Sequence, residues 1–244
     1  MSVLKTVTGK RPKLIGTDLD GTIVAHYGFI SERTKIAFTA AHKAGIHIYF
    51  VTGRPIRWMS ELKDNFNFGT GICGNGALLY DFINQKILEQ WLFSPESQLE
   101  TVKRLREVIP LVNFAVEIDE QFHREKDYLA RWDVGIDNVG VNKIEEVINK
   151  PALKMLARCG DASMSSDEMM SVATKALVGI ATVTHSNSTD SLLEISADGV
   201  SKGATLSKIA ARHGLTAEDC VTFGDNPNDF SMLSWASRSW AMED

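Results

Sequence analysis

Residues 14–24 read LIGTDLDGTIV. A short apolar run ends in two aspartates one residue apart, Asp18 and Asp20, and leaves through Gly21-Thr22. Apolar residues before the pair and a glycine after it describe a β-strand that ends in a tight turn. Two carboxylates at the end of an apolar strand are costly unless a cation or a reaction uses them. Working outward, Ser31–Gly45 reads as a helix, with Ser31 as N-cap, Glu32 in the first turn and Gly45 beyond the last apolar position. Ile46–Val51 is a second strand and runs into Thr52-Gly53-Arg54-Pro55. Pro55–Lys63 reads as a second helix with proline in its first turn. Gly71–Ala77, GICGNGA, is a glycine-rich strand end. Strand, helix, strand, helix, strand predicts an α/β fold built on a doubly wound parallel sheet.

The pattern changes near residue 81. Lys86–Phe93 and Val112–Glu125 read as β, the latter a hairpin turning at Asp119-Glu120. Ser97–Val108 is helical, with Leu99, Val102, Leu105, Arg106 and Val108 in an amphipathic arrangement. Leu153–Arg158, Gly179–His185 and Leu192–Ile195 read as strands, and Asp167–Ala176 as a helix between two of them. Near 197 the first pattern resumes, with a helix over Gly203–His213, a strand over Cys220–Phe223, then GDNPND. The expected organisation is a doubly wound parallel sheet from residues 1–80 and 197–244, interrupted by an α+β insertion over 81–196.

Composition narrows the function. The 244 residues are 44% hydrophobic and 23% charged, with net charge −5 and no basic tract, which argues against nucleic-acid binding. Cys73, Cys159 and Cys220 lack CxxC spacing, so free thiols are expected rather than a zinc site or a disulfide frame. The first 13 residues lack a signal peptide's apolar stretch, and no apolar run approaches the roughly 20 residues of a membrane span. The expectation is a cytoplasmic chain, monomer or homodimer.

Chemistry concentrates at strand ends and helix starts: Asp18 and Asp20, then Thr52 and Arg54, then Lys202 in GVSKG, then Asp225, Asn228 and Asp229 in GDNPND. Strand C-termini of an open parallel sheet gather on one edge, so these residues are expected to meet. Several carboxylates in one crevice need a hard cation such as Mg²⁺, which keeps places for water and a substrate phosphate. Lys202 supplies a point charge for a phosphate oxygen. Thr52 offers a hydroxyl, and the N–H groups of Gly53 and Arg54 can donate to phosphate. In this scheme Asp18 attacks phosphorus, and Asp20 protonates the leaving alcohol and later deprotonates water. Gly21 and Thr22 turn the chain after the pair. Asn75 in GNGA is either a turn residue or a substrate contact. His123, Arg124, Tyr128 and Arg131 in the cap, with His185 and Asn187, offer polar groups to a sugar, although a solvated surface is the favoured reading for them.

In this order and spacing the motifs resemble the haloacid dehalogenase superfamily of phosphatases, specifically its Cof-type class IIB group. DLDGT resembles the first motif, Thr52 the second, Lys202 in GVSKG the third and GDNPND the fourth; ICGNGA and FSML are similar to that group too. The resemblance implies a Rossmann-like core, an inserted α/β cap, Mg²⁺ dependence and hydrolysis of small phosphomonoesters, commonly sugar phosphates. It implies metal ligation by Asp18, the main-chain carbonyl of Asp20 and Asp225, with Asp229 as an outer partner and Asn228 as polar support. It also implies a strand and helices after the fourth motif, of which the residues to Asp244 supply a short stretch. Alternatives from the same residues are a phosphomutase, a receiver-like module that keeps its phosphoryl group for a partner, and a binding module without turnover.

Overall fold

The computed structural model describes residues 9–25, 28–130, 132 and 134–242. The first strand, β1 (Leu14–Thr17), delivers the chain into Asp18, and Ser31 caps α1 (Glu32–Lys43) by accepting from the Thr34 N–H. β2 (His47–Val51) is buried on both faces, as a central parallel strand must be: Ile48 and Phe50 face one core cluster, Tyr49 and Val51 another. The expected helix over Pro55–Lys63 is a 3₁₀ turn at Ile56–Trp58 followed by a short α2 (Ser60–Asn65). Pro55 itself is extended, and the Trp58 and Met59 N–H groups bond to carbonyls three residues back, which tightens the first turn. β3 (Thr70–Cys73), β4 (Leu78–Asp81) and β5 (Lys86–Gln90) complete this part of the chain.

Next come α3 (Pro95–Val108), β6 (Val112–Ile118), β7 (Gln121–Arg124), β8 (Lys154–Cys159), α4 (Ser166–Ala176), β9 (Ala181–Thr184) and β10 (Leu192–Ala197). The chain ends with α5 (Lys202–Arg212), β11 (Cys220–Gly224), α6 (Phe230–Trp235) and β12 (Arg238–Ala241). One sheet has seven strands in the order β12-β11-β1-β2-β3-β4-β5, parallel from β12 to β3 and antiparallel beyond. The other has five antiparallel strands, β7-β6-β8-β10-β9. The fold is therefore an α/β core carrying an α+β cap.

The first boundary between the layers is expected at 81. That position falls inside the β4–β5 hairpin, whose strands pair with each other and, through β4, with β3 of the core. The chain leaves the core sheet only after Gln90 and returns after Ala197, the end of β10. An antiparallel hairpin looks the same in sequence whether it extends a parallel sheet or begins a new one.

Each layer has its own interior. In the cap, Val102 and Leu105 of α3 pack against Phe114 and Val116 of β6 and Met169 and Ala173 of α4. The buried face of α3 is Gln98, Thr101, Val102 and Leu105; Leu99 and Val108, expected on it, are exposed. Gln98 turns inward because its amide donates to the carbonyls of Phe93 and Lys150. In the core, Phe50 stacks on Phe66 at 5.1 Å and meets the edge of Phe82 at 5.7 Å. Burying a phenylalanine so completely contributes about 2–3 kcal/mol. All three cysteines are free and buried, and burial pushes the Cys73 thiol up to about 12 and Cys220 up to about 11.

Candidate active site

Parallel pairing of β1 with β2 and β11 puts their C-terminal ends on one sheet edge. Asp18 follows β1, and its N–H donates to the Phe223 carbonyl of β11. Thr52 follows β2, Asp225 follows β11, and Lys202 opens α5 behind its N-cap Ser201. Asp18, Thr52, Lys202 and Asp229 are all buried. The Lys202 ammonium lies 2.6 Å from Asp18 Oδ1 and 2.6 Å from Asp229 Oδ1. The other oxygen of Asp229 accepts the N–H groups of Asp225 and Asn226, each at 3.1 Å, which fixes the loop that carries Asp225. Thr22 donates its hydroxyl to Asp225 Oδ1 at 3.0 Å. Gly21, at φ +79, has no room for a side chain, since a Cβ would stand 2.3 Å from Asp225 Oδ2.

Oxygens of Asp18, Asp225 and Asp229 lie within 4.8 Å of one another. Three carboxylates face one ammonium, and the imbalance is visible in the titration of Asp18. Burial pushes its carboxyl up to about 7; Lys202 opposes this, while Asp229 and Asp225 add to it. For Lys202 burial alone would lower the pKa, but Asp18 and Asp229 outweigh it and hold the ammonium charged. An all-oxygen, acidic pocket with unbalanced negative charge fits a hard divalent cation such as Mg²⁺.

Asp20 points elsewhere. Its carboxylate is exposed and gripped by the Arg54 guanidinium, through Nε at 2.8 Å and through a second nitrogen. Arg54 also donates to Glu61 at 3.0 Å. Asp20 therefore stands outside the acidic cluster, and its main-chain carbonyl is the part that remains as a candidate ligand. The Arg54 N–H, expected to be open to phosphate, donates to Thr52 Oγ1 at 3.1 Å, so of the two expected backbone donors only Gly53 N–H has no partner among the described residues.

Asn75 is buried in a left-handed conformation (φ 56) that asparagine tolerates, and it joins core to cap. Its Nδ2 donates to Glu194 Oε2 at 2.9 Å, and its Oδ1 accepts from Asn228 Nδ2 at 3.3 Å. Glu194 also takes the Lys154 ammonium at 2.6 Å. A second tie runs from Arg57, in the turn after β2, to both oxygens of Glu117 on β6, at 2.7 and 2.8 Å. Between core and cap lies a cleft of about 400 Å³. Asp18, Asp20, Arg54 and Asn228 line its floor; Lys154, Ser186, Asn187, Asp190 and Glu194 line the cap side. Trp58 and Trp132 also line it and meet edge to face at 5.5 Å.

Of the cap residues singled out from sequence, Asn187 lines this cleft. Arg124 spends its guanidinium on the carbonyls of Glu125, Lys126, Tyr128 and Asn138. Tyr128 is buried, with the Arg158 guanidinium 5.7 Å from its ring centre, instead of solvated. His123 lines a separate groove beside Asn138, and His185 is buried with Nε2 2.9 Å from Asp167 Oδ1. Arg131 lies outside the described residues. Sequence reasoning missed Lys154, Glu194 and Glu117. The available signal was a charge inside an otherwise apolar strand, KMLARC, LLEISA and VNFAVEI, which calls for a buried partner.

The chain belongs to the haloacid dehalogenase-like hydrolases, whose family model matches residues 15–244. It is 26% identical over 248 residues to the 5-amino-6-(5-phospho-D-ribitylamino)uracil phosphatase YitU of Bacillus subtilis (strain 168), covering 95% of this chain and 87% of the relative. It is 24% identical over 227 residues to the HMP-PP phosphatase of Cronobacter sakazakii, covering 92% and 82%. Among solved structures, the class IIB sugar phosphatase BT4131 superposes with a TM-score of 0.71 at 23% identity, covering 94% of this chain and 86% of that one. BT1666 from Bacteroides thetaiotaomicron gives 0.74 at 20%, covering 97% and 85%. The Cof-type phosphatase assignment of the motifs stands on this family and these relatives.

Proposed function

We propose that this phosphatase is a Mg²⁺-dependent phosphomonoester hydrolase that acts on small phosphorylated metabolites, sugar phosphates foremost, through an aspartyl phosphate on Asp18. The observation that carries the reading is the Asp18–Lys202–Asp229 chain, with Asp225 in the same cluster, on the edge where a parallel sheet presents its ligands. An oxygen of Asp18 forms a bond to phosphorus as the bond from phosphorus to the ester oxygen breaks. Asp20 gives its proton to the departing oxygen, then accepts one from the water whose oxygen displaces Asp18 from phosphorus. Lys202 and the Gly53 N–H meet the charge on the phosphoryl oxygens. Asp18, the Asp20 carbonyl and Asp225 would hold the Mg²⁺, with Asp229 orienting; the ion supplies further charge neutralisation at the phosphoryl group. On the cap side, Ser186, Asn187 and Asp190 offer partners for hydroxyls, and Trp58 of the core with Trp132 of the cap, set edge to face, offers apolar contact to a sugar ring.

Phosphate release from a panel of sugar phosphates, nucleotides and pyridoxal phosphate, with and without Mg²⁺, tests the reading. Asp18→Asn is expected to abolish turnover and leave the fold intact; turnover near wild type in that variant would remove Asp18 as nucleophile. Product analysis with a hexose phosphate separates hydrolysis from return of the phosphoryl group to another hydroxyl, which would make the chain a mutase.

A further inference from the structure

Three successive carbonyls of the loop after β2 each have a donor. The Thr52 carbonyl accepts the Asn75 N–H at 3.0 Å, and the Arg54 carbonyl accepts the Gly74 N–H at 3.0 Å. Both donors belong to the core. The middle carbonyl, Gly53, accepts instead from the Lys154 ammonium at 2.8 Å, and Lys154 is the first residue of cap strand β8. The peptide that follows Gly53 is thus pinned at both ends, its oxygen by Lys154 and its N–H by Thr52 Oγ1. What remains open to an anion in the cleft is the N–H of Gly53.

Lys154 is itself held. Glu194, on neighbouring cap strand β10, takes its ammonium at 2.6 Å and takes the Asn75 amide at 2.9 Å on the same oxygen. Both charged groups are nearly inaccessible. Burial would push the Glu194 carboxyl up, but Lys154 and Asn75 outweigh it and hold it below the usual range. A carboxylate only accepts, so Glu194 fixes the Asn75 amide with its nitrogen toward the cap. The Asn75 oxygen then faces Asn228 Nδ2, which leaves Asn228 Oδ1, a buried atom without a partner among the described residues, on a residue that lines the cleft. Polarity is thereby set from the cap strands, through the core, to the phosphate-binding loop and the GDNPND loop.

We propose that Lys154 and Glu194 are positioning residues for phosphate binding: the cap completes the loop over Thr52–Arg54 by holding the Gly53 carbonyl, and the loop takes the substrate's phosphoryl group fully only when Lys154 is seated. The proposal rests on the hydrolase reading above and extends it to a pair of residues on the cap strands. It makes phosphate affinity a property of both layers.

The test compares Lys154→Met, Glu194→Gln and the double variant by thermal unfolding, by inhibition with inorganic phosphate, and by KM and kcat on a hexose phosphate. Each single variant leaves a buried charge unpaired and is expected to lose thermal stability, whereas the double variant removes both charges and is expected to regain it. Phosphate inhibition constant and KM are expected to stay about ten- to a hundredfold weaker in the double variant, the range set by one charge-assisted hydrogen bond. Regained stability together with wild-type phosphate affinity would show that the pair only holds the fold, and would overturn the proposal. A measurement on the unaltered chain serves if the double variant does not fold: in glycine-labelled protein the assigned Gly53 amide resonance is expected to shift on titration with inorganic phosphate and Mg²⁺, and an unmoved resonance overturns the proposal. If the wild type binds phosphate with a Gly53 shift but releases none from any ester, the hydrolase reading fails, and the phosphate affinity of the double variant still decides the positioning role.

Discussion

Arg54 closes the Nε–Nη2 edge of its guanidinium on both oxygens of Asp20, and Glu61 takes its Nη1. The group assigned to proton transfer is thus held on the cleft floor by Arg54, outside the acidic cluster. In the proposed mechanism Asp20 exchanges Arg54 for the leaving oxygen, and Arg54 sets where that exchange starts. Arg54→Met is expected to lower kcat by about ten- to a hundredfold, part of the 10²–10⁴ that a placed general acid provides, and to change KM less. Initial-rate kinetics decide it; an unchanged kcat would mean that Asp20 needs no such holding.

A second expectation concerns pH in metal-free protein. Asp18 has its carboxyl pushed from the ordinary 3.8 up to about 7. An acid with a raised folded pKa makes the folded chain hold more protons than the unfolded chain between those values, so stability falls as pH rises through that window. With EDTA present, the midpoint of thermal unfolding should drop between about pH 4 and about pH 7, and saturating Mg²⁺ should restore it at the upper end, by about 2.7 kcal/mol at a hundred times Kd. Calorimetry across pH checks both halves. A flat metal-free profile would show that the like charges around Asp18 are relieved some other way.

Gly21 offers a third. Alanine there meets a positive φ and a contact with Asp225 at once. Gly21→Ala is expected to cost about 1–3 kcal/mol of stability and to raise the Mg²⁺ concentration needed for half-maximal rate, because Asp225 has to move. Urea unfolding and a Mg²⁺ titration of the rate measure the two effects separately.

The tie between layers can be cut without touching the cleft floor. Arg57 is partly exposed and Glu117 buried. Arg57→Met therefore strands an anion, while Glu117→Gln leaves an arginine that water can reach. The first is expected to be the more destabilising, by about 1–3 kcal/mol. Comparison of the two single variants and the double by chemical denaturation would show whether the order holds.

Much of the core site was readable because its signals are local. Apolar strands run straight into Asp18, Thr52 and Asp225, and parallel topology alone makes such ends converge. Ser31, Ser165 and Ser201 cap their helices through contacts within three residues, so α1, α4 and α5 were legible to within a residue or two. What escaped was pairing at a distance. Lys154 and Glu194 are 40 residues apart and meet only because β8 and β10 are neighbours. Lys86–Phe93 was read with the insertion, and nothing in Lys86–Gln90 says that this strand pairs with β4. The hydrophobic pattern of α3 misled for a related reason: Gln98 finds two carbonyl partners inside the cap, which periodicity cannot foresee.

The buried thiols carry a practical consequence. Cys73 sits at the end of β3, directly before the turn that binds the cap, yet its proton is held so tightly that little thiolate exists at neutral pH. If the proposed carboxylate nucleophile holds, a chain whose three thiols are all buried should keep working in the presence of iodoacetamide, a condition that silences an enzyme whose nucleophile is cysteine.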